Sequence, residues 1–529
     1  MSKENFIKGA AILSIAGLLV KILGAVYRIP LTNLIGTEGI GYYQPAYNIY
    51  NLLLVVSLSG FPTAIAKMVS ERRALNNFEG AYQVYKVSRW GLFLIGLLSS
   101  VFVLIFGRNL VTFLGYPGSY YSMIALVPAL FAVPLLSAYR GFFQGIQNMT
   151  PIALSQLIEQ VFRVLVGLYL AYALVGMGLE EAAAGATFGA SAGGLAALIL
   201  IYILFFFSRR NIKREIANST GNKIEPVGHI VKNLLYIAIP ITIGASIAPL
   251  MGIMDSYIVS NRLTSIGYSS VEIADLFGEL SGTAQTLINF PQVFSTAVAM
   301  SLVPAITDAY TRKHIKRLNV TANAGVKMSL IIGLPCGIGL FMLAEPIIAL
   351  LYSSIGPAKH ASSGALLEIL SIGVIFLTLV QAFTAILQSI DKQFHPVKNL
   401  AIGLIVKVIL SYILIGIPRI NIKGAAVSTT VAYFVVALLN WRDINKTKIK
   451  INIIKVSSRT LLSSAVMALA VAISFVALNR VLSQSLATLG SISIAAIVYL
   501  VCLLLTGAVT EDDLELIPKG EKLKKFVRK

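Results

Sequence analysis

The chain has 529 residues, of which 57% are hydrophobic and only 12% charged, and its mean hydropathy is +0.81. This balance excludes a soluble globular protein and predicts an all-α polytopic membrane protein. The net charge of +20 would suggest a nucleic-acid partner in a soluble protein, but here it follows the membrane topology described below.

Fourteen apolar stretches are long enough to cross a bilayer, for which about 20 residues suffice. They are 7–28, 43–68, 87–107, 119–143, 151–174, 184–207, 231–256, 282–306, 325–351, 364–389, 397–417, 424–440, 457–478 and 487–507. The first stretch is not followed by the small-residue cleavage site of a signal peptide, so we interpret it as a retained helix. With a cytoplasmic N-terminus, most of the 43 Lys and Arg residues fall in cytoplasmic segments. The positive-inside rule therefore places both termini in the cytoplasm of a multi-pass protein of the cell membrane, and the basic excess contacts anionic membrane lipids.

Polar connectors divide the spans into six, six and two. The predicted units are an N-lobe (1–207), a basic linker (208–230), a C-lobe (231–440), a second basic linker (441–456), the last two spans (457–507) and a basic tail (508–529). Weak matches in the same order suggest a repeat: Pro62 and Pro304 close equivalent spans, and Arg163 and Lys407 occupy equivalent depths. Because the offset of six spans is even, the two six-helix lobes are predicted to be parallel repeats with a binding cavity between them.

Four cations lie inside predicted spans, where charge is costly unless it faces water or a partner. Lys21 and Arg28 lie seven residues apart on one stripe of the first helix, which Pro30 and Asn33 are predicted to end close to Arg28. Arg163 is about 18 Å deep, and Glu159 lies four residues before it, so the two side chains are spaced to pair. Lys407 has no acid at either helical neighbour position. We predict that these four cations line a cavity and bind an anion.

Further polar residues and prolines complete the predicted site. Gln156, Gln160, Asp255 and Arg262 join Glu159 as polar or charge-coupling residues, and Pro62, Pro240 and Pro304 are predicted gates because they remove helical hydrogen bonds. Two alternatives stay open: Glu159 and Arg163 simply neutralise each other between helices, and Asp255 and Arg262 simply extend towards the membrane surface.

No catalytic or metal-binding pattern is present. The sequence has no phosphate-binding glycine loop, and its four histidines are scattered without ligand spacing. We therefore expect neither an enzyme nor a cofactor, and expect transport coupled to the membrane potential or to a monovalent ion. We also expect no nucleic-acid partner and a monomeric chain.

Several motifs resemble a known family. They are Lys8-Gly-Ala-Ala-Ile, Lys21-Ile-Leu-Gly24-Ala-Val-Tyr-Arg28-Ile-Pro30, Leu34-Ile-Gly-Thr-Glu-Gly39-Ile-Gly41-Tyr-Tyr, Gly60-Phe-Pro62-Thr-Ala-Ile-Ala-Lys67 and Ser155-Gln-Leu-Ile-Glu159-Gln…Arg163. Together they resemble the polysaccharide-transporter and stage V sporulation protein B branch of the multidrug/oligosaccharidyl-lipid/polysaccharide (MOP) flippase superfamily, which also contains MurJ.

The resemblance implies a two-lobed flippase with fourteen helices. Such a protein moves an undecaprenyl-pyrophosphate-linked saccharide from the inner to the outer leaflet for cell-wall, spore-cortex or surface polysaccharide synthesis. In the MurJ members, arginines of the first helix line the cavity; Lys21 resembles one of them, and Arg28 is displaced by one position from another. A second-helix arginine of those members is missing here, at Asn51-Leu-Leu-Leu54, which leaves the glycan open. The last two helices are implied to hold the lipid tail.

Two other functions remain as alternatives. A cation-coupled multidrug exporter of the same superfamily would place acids in its cavity, where only Glu159 and Asp255 are available. A membrane glycosyltransferase or ligase would need a large external loop with acids, whereas the largest one here spans only 261–281.

Overall fold

The computed structural model describes residues 3–217, 219 and 225–508, and their backbone is almost entirely helical. The described α-helices are α1 Lys3–Val55, α2 Phe61–Ala74, α3 Phe78–Phe113, α4 Tyr120–Ala125, α5 Val127–Gly145, α6 Thr150–Leu174, α7 Leu179–Ala217, α8 Val227–Ser265, α9 Ser270–Gly278, α10 Gln285–Thr311, α11 Ile315–Met342, α12 Ala344–Leu351, α13 Pro357–Ser389, α14 Phe394–Ile415, α15 Lys423–Asn445, α16 Ile453–Leu478 and α17 Gln484–Leu505. Single π-helical turns, Val56–Gly60 and Glu279–Ala284, precede α2 and α10.

Helix α1 reverses direction at Gly36. This residue has φ 68° and ψ −179°, a conformation that is essentially restricted to glycine. In a straight helix, residues 28 and 44 would lie about 24 Å apart, yet the Arg28 Nη2 atom donates a hydrogen bond to Gln44 Oε1 at 2.6 Å. The two arms of α1 therefore run side by side as a helical hairpin.

The prediction that Pro30 and Asn33 end the first helix is wrong, because the helix continues to the reversal at Gly36. Two polar side chains bond to backbone carbonyl groups just beyond Arg28. Thr32 Oγ1 donates to Arg28 O at 2.9 Å, and Asn33 Nδ2 donates to Ile29 O at 3.2 Å. Both bonds lie in the part of the helix that continues past Pro30, which itself lacks an N–H donor.

The helices of membrane-spanning length confirm the predicted polytopic membrane fold. Twelve helical stretches of the described chain are long and apolar enough to cross a bilayer, and the bent pair Pro117–Ala125 and Val127–Gly145 supplies a thirteenth. The stretch Ile15–Val55 counts once among the twelve and contains the reversal at Gly36. The described residues thus contain twelve or thirteen helical stretches of membrane-spanning length, against fourteen predicted spans.

The chain forms two compact units. One comprises Met1–Asn261 and Ser269–Gly278, and the other comprises Arg262–Tyr268 and Glu279–Lys529. In the first unit, aromatic and aliphatic side chains of α2, α3, α5 and α7 form the core; in the second, the core comes from α10, α11, α13 and α15. Most of α8 belongs to the first unit, whereas the sequence assigned it to the C-lobe.

The predicted linker 208–230 is partly helical and is bound to the first unit. Helix α7 continues to Ala217, and Glu215 accepts two hydrogen bonds from Arg73 at 2.7 and 3.0 Å. Glu225 pairs with the buried Arg72 at 2.6 Å. Residues 218 and 220–224, like residues 509–529 of the predicted basic tail, lie outside the described residues.

The three predicted gating prolines occupy different positions in their helices. Pro240 and Pro304 lie inside α8 and α10, where each removes a backbone hydrogen bond. Pro62 instead lies in the first turn of α2, directly after a π-helical turn. The helical backbone runs through this turn without a break, because Gly60 is itself in the α-helical region, so Pro62 follows a π-bulge and not a free helix end.

Candidate functional site

Glu159 and Arg163 form the ion pair that their spacing predicts. Helix α6 begins at Thr150, with Pro151 in its first turn, and so presents both side chains on one face. Arg163 Nη2 lies 2.9 Å from Glu159 Oε1. Both side chains are largely buried, with 18% and 16% of their surface exposed.

A third charged residue, Arg140 on α5, shares this glutamate. Its Nη2 atom lies 2.9 Å from Glu159 Oε2, and its Nε atom donates to Ser155 Oγ at 3.0 Å. In the sequence, Arg140 looks like one of the ordinary cations at the cytoplasmic end of a span. Arg140 lies nineteen residues before Glu159 and on a different helix, so no local sequence spacing predicts their contact.

Tyrosines on the second arm of α1 connect Arg163 with Arg28. Arg163 Nη1 donates to the hydroxyl oxygen of Tyr47 at 3.1 Å. The guanidinium carbon of Arg28 lies 4.8 Å from the ring centre of Tyr43 and 6.0 Å from that of Tyr47. The two tyrosine rings stack at 5.3 Å. Such cation–π contacts stabilise an arginine away from bulk water.

These contacts define the arginine cluster, which consists of Arg28, Tyr47, Arg140, Glu159 and Arg163. Three guanidinium groups and one carboxylate give it a formal charge of +2. Two of its buried donors, Arg28 Nη1 and Arg163 Nε, have no hydrogen-bond partner among the described residues. Buried donors of this kind favour an acceptor, and charged donors favour an anionic one. The arginine cluster is therefore suited to bind an anion with two negative charges.

The other predicted polar and charged residues of the first unit are not members of the arginine cluster. Gln160 is buried, and its amide nitrogen would lie 3.4 Å from a Cβ added at Gly24, so it packs against the first arm of α1. Gln156 has a buried Oε1 atom without a hydrogen-bond partner among the described residues. Lys21 is exposed, and the structure does not bring it into the arginine cluster. Asp255 lies half-buried on α8, beside Ser256.

Two of the predicted charged residues belong to the second unit. Lys407 is buried on α14, at the same distance from the start of its helix as Arg163 from the start of α6. Arg262 donates from Nε to the backbone oxygen of Tyr412 at 2.9 Å and lies over its ring at 4.4 Å. Among the described residues, no three His, Cys, Asp or Glu side chains are arranged to hold a metal ion.

Comparison with protein families gives two matches. A family described as "Polysaccharide biosynthesis protein" matches residues 6–310, and the MatE family matches residues 281–413. Three relatives come from Bacillus subtilis (strain 168). The uncharacterised membrane protein YabM is 30% identical, covering 99% of this chain and 96% of its own length. Stage V sporulation protein B is 28% identical, covering 98% of each chain, and the lipid II flippase MurJ is 27% identical, covering 81% of this chain and 80% of its own length.

Solved structures with the same fold include two transporters. The inward closed conformation of a lipid II flippase MurJ matches with a TM-score of 0.71 at 18% identity, covering 94% of this chain and 98% of the other. An inward-facing MATE family transporter of the MOP superfamily matches with a TM-score of 0.67 at 14% identity, covering 81% of this chain and 96% of the other. These likenesses establish the two-lobed helical fold of this chain.

Proposed function

The chain belongs to the polysaccharide biosynthesis protein family of MOP superfamily flippases, and from this premise we propose that it moves an undecaprenyl-pyrophosphate-linked saccharide from the inner to the outer leaflet of the cell membrane. The arginine cluster carries this proposal. Its formal charge of +2 matches the two negative charges of a substituted pyrophosphate, and two of its buried donors face no protein acceptor among the described residues.

The physical requirement for such transport is a site that replaces the water around a pyrophosphate. An unpaired anion in a low-dielectric interior is very costly, so several cations with fixed positions must offset its desolvation. Arg163 is held in position by its hydrogen bonds to Tyr47 at 3.1 Å and to Glu159 at 2.9 Å. Arg28 is fixed by Gln44 and by the ring of Tyr43. We infer that Arg28 and Arg163 contact the headgroup. Because Glu159 is shared with Arg140, its single negative charge neutralises Arg163 only in part.

We propose that no cofactor takes part and that the membrane potential supplies a bias. An inside-negative potential favours the outward movement of an anion by about 2.3 kcal/mol per charge per 100 mV. Lys21 and Lys407 remain candidates for further headgroup contacts, as do Gln156 and Gln160. We also propose a monomer with cytoplasmic termini, as the distribution of basic residues indicates.

The arginine cluster also weighs against a carrier of cationic drugs. Such a carrier needs a carboxylate that is available to the drug, but Glu159 already holds two guanidinium groups at 2.9 Å. Capturing a cation at Glu159 would require the loss of at least one of these buried ion pairs.

Depletion of the protein tests the proposal. In a strain that has this chain as its sole flippase of the superfamily, we expect undecaprenyl-pyrophosphate-linked saccharide to accumulate in the inner leaflet, and mass spectrometry of the extracted lipid would identify the glycan. Wild-type levels of every such lipid after depletion, together with new sensitivity to cationic dyes, would contradict the proposal and favour a drug exporter.

A further inference from the structure

A chain of hydrogen bonds leads from Arg28 to helix α8. Arg28 Nη2 donates to Gln44 Oε1 at 2.6 Å, and Gln44 Nε2 donates to Asn48 Oδ1 at 2.8 Å. Asn48 Nδ2 then donates to Gly252 O at 2.9 Å and to Ser256 Oγ at 3.1 Å. We name Gln44 and Asn48 the amide relay, because they connect a member of the arginine cluster with a helix that does not belong to it.

The amide relay has a single direction. Each side-chain amide accepts a hydrogen bond on its oxygen and donates one from its nitrogen, so the positive charge of Arg28 polarises both amides in the same sense. Hydrogen bonds in such a chain strengthen one another, and the loss of the first weakens those that follow. A change at Arg28 is therefore felt at the bond between Asn48 and Gly252.

Helix α8 depends on this contact where it meets Asn48. Pro249 lies three residues before Gly252 and removes a backbone hydrogen bond from that part of the helix. A Cβ added at Gly252 would lie 3.0 Å from Cγ and Oδ1 of Asn48, so the approach of the amide is tight even without a side chain. The position of Asn48 thus stabilises a locally weakened segment of α8.

An anion at Arg28 would compete with the amide relay. Arg28 Nη1 is buried without a partner among the described residues, and Nη2 is bonded to a neutral amide oxygen. A phosphate group binds a guanidinium through two parallel bonds, each roughly twice as strong as a bond to a neutral acceptor. Nη2 carries two hydrogens, so a phosphate that binds both nitrogens shares Nη2 with Gln44 Oε1, and its negative charge weakens the bond from Arg28 to the neutral amide.

We propose that the amide relay couples anion binding at Arg28 to the release of α8 around Gly252. Without an anion, Arg28, Gln44 and Asn48 stabilise α8 through their hydrogen bonds. With an anion on Arg28, the bond from Arg28 to Gln44 weakens, and so do the bonds that follow it to α8. The inference rests on the proposed function only in taking the substrate headgroup as the physiological anion. Because coupling is reciprocal, weakening the relay must also favour anion binding.

Inorganic pyrophosphate is a suitable probe with the purified full chain at constant ionic strength. Its affinity and the amide hydrogen exchange of residues 249–256 are measured for the wild type and for the variants Asn48→Leu and Gly252→Ala. Ser246→Ala is the matched control, because Ser246 Oγ donates only to Thr242 O within α8.

We expect pyrophosphate to accelerate exchange in residues 249–256 of the wild type and of Ser246→Ala. In Asn48→Leu and Gly252→Ala, the amides of this segment should exchange faster without ligand, and pyrophosphate should change their exchange little. Both variants should bind pyrophosphate about two- to tenfold more tightly, which corresponds to the free energy of one hydrogen bond. Gly252→Ala keeps both amides of the relay and guards against a folding defect in Asn48→Leu.

The sign of the affinity change decides the outcome. Equal or weaker binding in both variants would mean that the amides only support Arg28, which overturns the coupling and leaves the headgroup site intact. If pyrophosphate binds to the wild type but does not accelerate exchange in residues 249–256, the coupling is likewise overturned and the headgroup site is left intact. If the wild type binds no pyrophosphate, or if Arg28→Gln leaves its affinity unchanged, both the coupling and the headgroup site are overturned.

Discussion

At the scale of single residues, Glu159 determines how much positive charge the arginine cluster presents. The carboxylate binds Arg140 through one oxygen and Arg163 through the other, both at 2.9 Å. With a single arginine, the pair would be neutral, as one interpretation of the sequence held. With two arginines, the group around Glu159 keeps one positive charge, and Arg28 adds another.

Arg140→Gln should therefore impair transport although Arg140 is not assigned a contact with the substrate. Glu159 would then neutralise Arg163 completely, so we expect headgroup affinity to fall at least tenfold, a loss of about 1.4 kcal/mol. The measurement is binding of a lipid-linked pyrophosphate to purified variants. Arg140→Lys is the control, since it keeps the charge and should recover part of the affinity. Equal affinity in Arg140→Gln and the wild type would contradict this role.

Sequence reasoning identified Arg28, Glu159 and Arg163 because isolated charges in apolar helices are conspicuous. It missed Arg140, since a cation near the end of α5 is equally well explained by the membrane surface. It also missed the tyrosines, because Tyr43 and Tyr47 acquire their role only when the two arms of α1 lie side by side. These contacts depend on tertiary packing, which no local pattern encodes.

At the scale of helices, the reversal at Gly36 brings Arg28 against the second arm of α1. The sequence predicted a connection between two spans, and hydropathy alone was sufficient for that. It placed the helix end at Pro30 and Asn33, because proline usually marks such a boundary. The structure instead uses the conformational freedom of Gly36, at φ 68°, and leaves both earlier residues in the helix.

Gly36→Ala should disrupt this hairpin. Alanine in that backbone conformation is strained by roughly 1–3 kcal/mol, so we expect a lower melting temperature and weaker pyrophosphate binding. Gly17→Ala is a matched control in the same helix, because an added Cβ there meets no atom within 4 Å. It should be neutral or slightly stabilising. Thermal unfolding of both variants in detergent is the measurement, and equal melting temperatures would contradict the assignment of the reversal to Gly36.

At the scale of the molecule, the helical membrane fold was predictable because hydropathy alone marks the apolar spans. The boundary between the two units was harder to predict from the sequence. Sequence repeats place α8 with the second lobe, whereas the structure places most of it with the first unit, where Asn48 binds Gly252. Such an assignment depends on contacts between helices that are far apart in sequence.

The central claim is that the arginine cluster carries a pyrophosphate-linked lipid across the membrane. Its most direct test is the transbilayer movement of undecaprenyl-pyrophosphate-linked saccharide in proteoliposomes, followed by accessibility of the lipid at the outer surface. We predict flipping by the wild-type chain and by a Lys67→Ala control, which loses only an exposed ion pair with Glu71. The double variant Arg28→Gln, Arg163→Gln should reconstitute equally well but lose flipping. Wild-type flipping in this double variant would contradict the account.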